Sequence, residues 1–355
     1  MAHHTVKTGY QQLTERLNRF PQGAPPSEVL YRILALLFSE KEAALVALLP
    51  IKPFTAKTAA AAWSMSIVEA TTILDNLAGR AILLDVEIDG QTVYTLPPPM
   101  AGFFEFSMMR VRTDIDQHLL AELFHQYINV EEDFIRDLML STETRPGRVF
   151  VQEPALSPEN TLVVLDYERA SQVIQTAAHI SVGTCYCRHK MAHLGQACSA
   201  PTEICMTFNN TADSLARHGY ARSIDAVEAT DLLQLAYQSK LVQFGENVRH
   251  QVSFICNCCG CCCEAMLAAR RFGILNPVQT TNFLPVIDIE QCTGCGKCVS
   301  ACPVQAMTLI SACDPQRPGR KIAHLEADLC LGCGVCVRSC PHHHLSLSAR
   351  PERLI

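Results

Sequence analysis

The sequence predicts an α+β chain of several domains, and three observations carry that reading. The last third contains one cysteine run twice, Cys292, Cys295, Cys298, Cys302-Pro303 and then Cys330, Cys333, Cys336, Cys340-Pro341, each spaced C-x2-C-x2-C-x3-C-P. Residues 27–98 carry helix-start signals in quick succession and then two alternating β-rich runs. Between these regions lie ten further cysteines, concentrated after residue 184. The expected divisions are an arm over 1–26, a helix-and-hairpin domain over 27–98, a helical connector and linker over 99–160, a helical cysteine-rich domain over 161–282, the doubled-run domain over 283–349 and a tail over 350–355.

Composition narrows the function classes. With 355 residues, 48% hydrophobic and 18% charged, the chain reads as an ordinary soluble protein of two or three domains. A net charge of -6 favours neither nucleic acid nor an anionic membrane surface. The first twenty residues contain no signal-type apolar core, and the most apolar stretch, Val29 to Ile51, is interrupted by Arg32, Glu40, Lys41 and Glu42. The expectation is a cytoplasmic protein without a membrane span. Nineteen cysteines, an odd number in a chain of this length, point to reduced thiols that bind metal and away from a secreted disulfide framework.

The polar residues 1–26 end in PQGAPP and predict an arm ordered only if something holds it. Ser27 can cap a helix carrying Val29, Leu30, Ile33, Leu34 and Leu37. Ser39 with Glu42, and Ser66 with Glu69, read as capping boxes opening two more helices, and another helix runs from about Thr55 to Trp63. Ala81 to Ile88 and Gln91 to Leu96 then read as strands joined by the Asp89-Gly90 turn. This order of helices and hairpin resembles a winged helix-turn-helix domain. DNA binding does not follow, because a recognition helix should offer cations and amides to bases and phosphates. Ile67 to Ala78 offers Glu69 and Asp75, and residues 27–98 contain 5 Lys/Arg against 8 Asp/Glu. A docking role fits this balance better than DNA reading.

Thr113 to Leu140 is helical in period, with Leu119, Leu120, Leu123, Phe124 and Tyr127 in one stripe. Thr142 to Asn160, with Pro146-Gly147 and two more prolines, reads as a linker or surface connection. A helix is expected from Asp166 to Ala178 and another from Asp225 to Ser239. Cys185, Cys187, Cys198 and Cys205 are candidates for one four-thiolate site, with Arg188, His189 and Lys190 set beside its negative charge; solvated surface is the alternative for these three. The run Cys256-Asn257-Cys258-Cys259-Gly260-Cys261-Cys262-Cys263 places six thiols in eight residues, too many for one cube because adjacent side chains diverge. A helix starting near Cys258 would bring Cys258, Cys261 and Cys262 to one face; with Cys256 they form the expected ligand set of a further cluster, leaving Cys259 and Cys263 as spare or alternative ligands.

The doubled run is the most specific signal. It recurs at an offset of 38 residues, with Gly294/Gly332, Gly296/Gly334 and Val299/Val337 matching beside the cysteines. In two-cluster ferredoxins the fourth cysteine of each run ligates the other cluster. That rule assigns Cys292, Cys295, Cys298 and Cys340 to one 4Fe-4S centre and Cys330, Cys333, Cys336 and Cys302 to the other. Structural zinc explains the pattern poorly, since it requires neither the third cysteine nor the terminal C-x3-C-P. Cys313 and the DPQRPGRK segment read as an exposed basic loop, and His342, His343 and His344 as an exposed turn.

Taken together, these segments resemble a family of multi-cluster iron-sulfur proteins of anaerobic bacteria, described as 4Fe-4S dicluster-domain proteins. The resemblance implies a C-terminal ferredoxin-like domain with two 4Fe-4S clusters; for the upstream region it implies only that cysteines recur, and the expectation of one or two additional iron-sulfur clusters there rests on the cysteines themselves. No G-x-G-x-x-G supports a nucleotide cofactor. The expected function is therefore electron transfer between protein partners, such as a flavoprotein or larger oxidoreductase, by a component that is not a self-contained enzyme. Two alternatives stay open: a redox-sensing winged-helix regulator, and an oxidoreductase with a substrate-active cluster at Cys256 to Cys263.

Overall fold

Helix-start chemistry fixes the first elements. The computed structural model describes residues 7–20 and 22–350, so residues 1–6 and 21 of the expected arm and 351–355 of the expected tail lie outside the described residues. The chain divides into one unit of Met1–Ser141, Ser181–Ala197 and Asn210–Ser223, and a second of Thr142–Ile180, Cys198–Asn209 and Ile224–Ile355.

In the first unit, helix α1 spans Gly9–Leu17. The expected arm is thus held: Leu13 and Leu17 are buried, and the buried Arg16 donates through Nε to the Leu49 carbonyl at 2.9 Å. Helices α2 (Glu28–Leu37) and α3 (Glu40–Ala47) follow, then strand β1 (Phe54–Thr55), α4 (Ala56–Trp63) and α5 (Ile67–Gly79). Ser39 with Glu42 and Ser66 with Glu69 form complete capping boxes, each satisfying two orphan backbone donors. Strands β2 (Leu84–Ile88) and β3 (Gln91–Thr95) make an antiparallel hairpin, and β1 adds to β3. Asp89 and Gly90, with φ of 51° and 73°, supply the double positive-φ turn that a two-residue hairpin needs.

Asp85 on β2 is a buried anchor. It accepts from Ser214 Oγ at 2.7 Å, Arg217 Nη1 at 2.9 Å and His218 Nε2 at 3.0 Å. Asp85, one of the eight acidic residues within 27–98, is therefore internal and neutralised, while Glu87 and Asp89 of the same hairpin stay exposed. The helical period over residues 113–140 resolves into helices Gln117–His125 and Asp133–Leu140, with Leu120, Leu123, Phe124 and Tyr127 buried.

The second unit departs from the sequence expectation in three places. The segment expected to be a linker contains strand Gly147–Val149, and Val149, Phe150 and Val151 are buried. The prolines around it mark the ends of a buried strand, not a solvated connection. The cysteine-rich region expected to be helical has a sheet at its centre: Gly147–Val149, Val242–Glu246, Phe254–Cys258 and Glu203–Phe208 pair antiparallel in that spatial order. No helix starts at Cys258, because β-branched and aromatic residues on both paired strands carry Phe254–Cys258 as the central strand. The next helix, Glu264–Arg271, begins only after the last cysteine of the run.

The C-terminal part repeats itself. Phe283–Ile287 pairs antiparallel with Leu345–Ala349, and Met307–Ser311 with Lys321–Leu325. A short helix follows each cysteine turn, Lys297–Ala301 after the first and Val335–Ser339 after the second. The expected basic loop is the tip of the inner hairpin. Its charge is committed locally: Arg317 Nε donates to Asp314 at 2.9 Å, and Arg320 Nη2 donates to the carbonyls of Ile289, Glu290 and Cys292.

Candidate metal centres

Each cysteine run makes a turn that only glycine permits. Gly294 and Gly296 have φ of 68° and 73°, and their counterparts Gly332 and Gly334 have 70° and 85°. A Cβ on Gly294 would stand 2.2 Å from the Lys321 carbonyl oxygen, and one on Gly332 would stand 2.3 Å from that of Phe283. The main chain thereby wraps closely enough to turn the cysteines inward.

The inward side chains surround two cavities. Cys302, Cys330, Cys333 and Cys336 line one, among Pro285, Val304, Met307 and Leu331. Cys292, Cys295, Cys298 and Cys340 line the other, among Leu309, Ala323, His344 and Leu345. Each cavity thus takes three cysteines from one run and its fourth from the other. Backbone N–H groups reach the sulfurs, from Ala306 to Cys302 at 3.2 Å, Ala323 to Cys292 at 3.4 Å and Gly332 to Cys330 at 3.4 Å. Four soft donors, apolar walls and N–H groups aimed at sulfur fit an iron-sulfur cluster.

Residues 291–344 match the 4Fe-4S dicluster domain. No curated protein and no solved structure matches the chain. The dicluster domain and the gathered cysteines together support an iron-sulfur electron-transfer role.

Burial in the dicluster domain opposes bare thiolates. It pushes the Cys330 thiol up to about 11 and raises Cys333 and Cys336 further, with neighbouring sulfurs adding repulsion. Cys298 is also raised by burial, whereas the Lys297 backbone N–H lowers the exposed Cys295. Without a metal these buried sulfurs keep their protons at neutral pH, so metal binding must release them. His344 lines the cavity of Cys292, while His342 and His343 are exposed, and Cys313 is exposed on the inner hairpin.

The middle-domain thiols group differently from the sequence expectation. Cys198 lies with Cys259, Cys261 and Cys262, their sulfurs all within 4.8 Å of one another. Cys258 instead meets Cys263, sulfur to sulfur at 3.1 Å. Cys185 and Cys187 belong to the first unit, and Cys198 and Cys205 to the second. Strand geometry explains the regrouping of the run. Through Phe254–Cys258 alternate residues face opposite ways, so Asn257 points away from Cys256 and Cys258. The buried Asn257 donates to the Ile204 carbonyl at 2.7 Å and accepts from Gln243 Nε2 at 3.0 Å, pinning the strand from behind. Past the strand, Gly260 lets the chain turn against the dicluster domain: a Cβ there would stand 2.4 Å from the Pro303 carbonyl oxygen, one residue beyond Cys302. Asn257, Gln243 and this contact escaped the sequence reading, although Gly260 amid cysteines was its one available sign.

In the first unit, Cys185 precedes helix Tyr186–His193, and the cations that follow it are not solvated. Arg188 is 1% exposed and Lys190 0%. Lys190 Nζ donates to Asn129 Oδ1 at 2.9 Å, and His189 Nδ1 lies 2.7 Å from the Met108 carbonyl oxygen. Solvated surface is therefore the wrong account of Arg188 and Lys190. Burial, followed by the neighbouring His189 and His118, holds His193 below the usual histidine range.

Proposed function

We propose that this chain is an iron-sulfur electron-transfer protein relaying single electrons between protein partners. In this reading Cys292, Cys295, Cys298 and Cys340 hold one 4Fe-4S cluster, and Cys302, Cys330, Cys333 and Cys336 hold the second. The observation that carries it is the crosswise sharing of cysteines between two neighbouring cavities within the dicluster domain. Each cluster, when bound, supplies a one-electron couple. The chain supplies the rest. Met307, Val304 and Leu331 keep water from one cavity, and Leu309 and Leu345 from the other. The N–H groups of Ala306, Ala323 and Gly332 offset charge on sulfur, which favours the reduced state. Cys295 is exposed, giving the Cys292 side an outlet toward a partner.

The middle domain adds a further metal centre, supported by the thiols gathered beside Gly260 and by the approach of Gly260 to Pro303. The winged-helix-like order of α2 to β3 serves docking of a redox partner, such as a flavoprotein or larger oxidoreductase. Exposed Ile67 and Val68 at the start of α5 favour a protein surface over a phosphate backbone. Nineteen thiols call for a reducing compartment such as the cytoplasm.

Anaerobic purification with iron and sulfide counting and reductive EPR tests the reading. Wild type should carry at least about eight irons and eight sulfides, with two interacting paramagnetic centres on reduction. Cys298→Ser and Cys333→Ser should each remove about half of that iron and sulfide. Protein that holds no sulfide after anaerobic reconstitution rejects the function.

A further inference from the structure

The sulfur spacing in the middle domain differs in kind from that of the dicluster domain. Cys198 and Cys259 Sγ are 3.6 Å apart, Cys261 and Cys262 3.7 Å, and Cys262 and Cys198 3.9 Å, with every pair of the four inside 4.8 Å. Four thiolates bound to one tetrahedral ion at about 2.3 Å stand about 3.8 Å from one another. In a 4Fe-4S cube each thiolate sits outside its own iron corner, and the sulfurs stand roughly 6 Å apart. A disulfide needs about 2.05 Å, which none of these pairs approaches. The same chain provides a comparison: among the described residues, the eight cysteines lining the two dicluster cavities form no group this tight.

We infer that Cys198, Cys259, Cys261 and Cys262 form a mononuclear site for one tetrahedral thiophilic metal ion, zinc or iron, and not a third cubane. Independent elements fix the donors. Cys259 packs against Ile204, Ala236 and Leu241, Cys262 is 0% exposed, and Cys261 is the exposed corner. Cys198 comes from a separate stretch of the chain, so the ion joins two segments 61 residues apart, the function structural ions commonly serve. Binding one divalent ion displaces the four thiol protons and leaves a net charge of -2 on the site. Arg270 Nη1, which donates to the Gly260 carbonyl at 3.2 Å, brings a cation to the same loop. The loop's approach to Pro303 sets the ion against the cysteine turn that ends at Cys302. An iron ion there can pass one electron. A zinc ion cannot, and would clamp the loop only.

This assignment is independent of the electron-transfer reading, and one set of measurements separates the two. Full-length protein is purified anaerobically, its metals and sulfide are counted, and X-ray absorption is recorded at the zinc and iron edges. Cys262→Ser, or the more exposed Cys261→Ser if the first does not fold, is expected to lose about one metal ion per chain and no sulfide, while the reduced dicluster signals persist. A zinc edge with four sulfurs at about 2.3 Å identifies the zinc form; a high-spin ferric signal that the variant lacks identifies the iron form. Loss of about four irons with four sulfides would show a cubane and overturn the assignment, as would unchanged metal content in both variants. Failure of the dicluster domain to hold iron and sulfide would sink the electron-transfer reading while leaving this result intact.

Discussion

Two single residues carry more of this structure than their side chains suggest. Gly260 has φ in an ordinary range, so its value is room, not conformational freedom: the space a Cβ would take is occupied by Pro303 backbone. Gly260→Ala should push the cysteine loop away from the dicluster domain, destabilise the chain by about 1–3 kcal/mol and lower retention of the Cys262 metal; denaturation and metal counting check both. Asp85 is the second case. Burial at 6% exposure would raise its pKa, but hydrogen bonds from Arg217, Ser214 and His218 outweigh that and hold it below the usual carboxylate range. Its folded pKa being depressed, the stability it contributes is present above the unfolded value and lost as pH falls through the folded one. Asp85→Asn should therefore cost about 1.5–3 kcal/mol at neutral pH, a deficit that shrinks below about pH 4, read from urea denaturation across that range.

Among elements, the paired cysteine turns were the most legible and the central strand the least. The turns repeat because spacing, glycine and proline all encode one backbone path, and the matched φ values of Gly294/Gly332 and Gly296/Gly334 follow from it. Gly332→Ala should empty its own cavity of about four irons and leave the signal of the Cys292 cavity in place; Gly294→Ala should do the reverse, as read by EPR and iron counting. Both capping boxes were legible for a similar reason, since two residues within four consecutive positions decide each of them. Phe254–Cys258 was not. Its cysteines are compatible with helix or strand locally, and the choice was made by Val242–Glu246 and Glu203–Phe208 pairing on either side. Gly147–Val149 was hidden in the same way, by prolines flanking a strand whose partner, Val242–Glu246, lies far along the chain.

At the scale of the whole molecule, charge gives little steering. Residues 281–355 contain 7 Lys/Arg and 6 Asp/Glu, and Arg317 and Arg320 are already engaged within the inner hairpin. Association with a redox partner through this end should slow by less than about tenfold between low and physiological salt, measured by stopped-flow; a steep fall would point to a charged docking face elsewhere. Gel-shift assays on oxidised and reduced protein should show no salt-sensitive, sequence-specific DNA binding, because α5 exposes Ile67, Val68, Glu69 and Asp75 where a DNA reader needs cations. No helix among the described residues is long and apolar enough to cross a membrane. The sequence by itself determined the metal chemistry and the doubled turn of the dicluster domain, since those depend on residue type and short spacing. It also raised the expectation that the ten upstream thiols bind metal. Which thiols meet was decided only by tertiary structure: Cys198 reaches Cys259 and Cys262 because a sheet brings distant segments together and Gly260 folds the loop onto Pro303. Such distances depend on strand pairing across long separations, and no local spacing of cysteines encodes them.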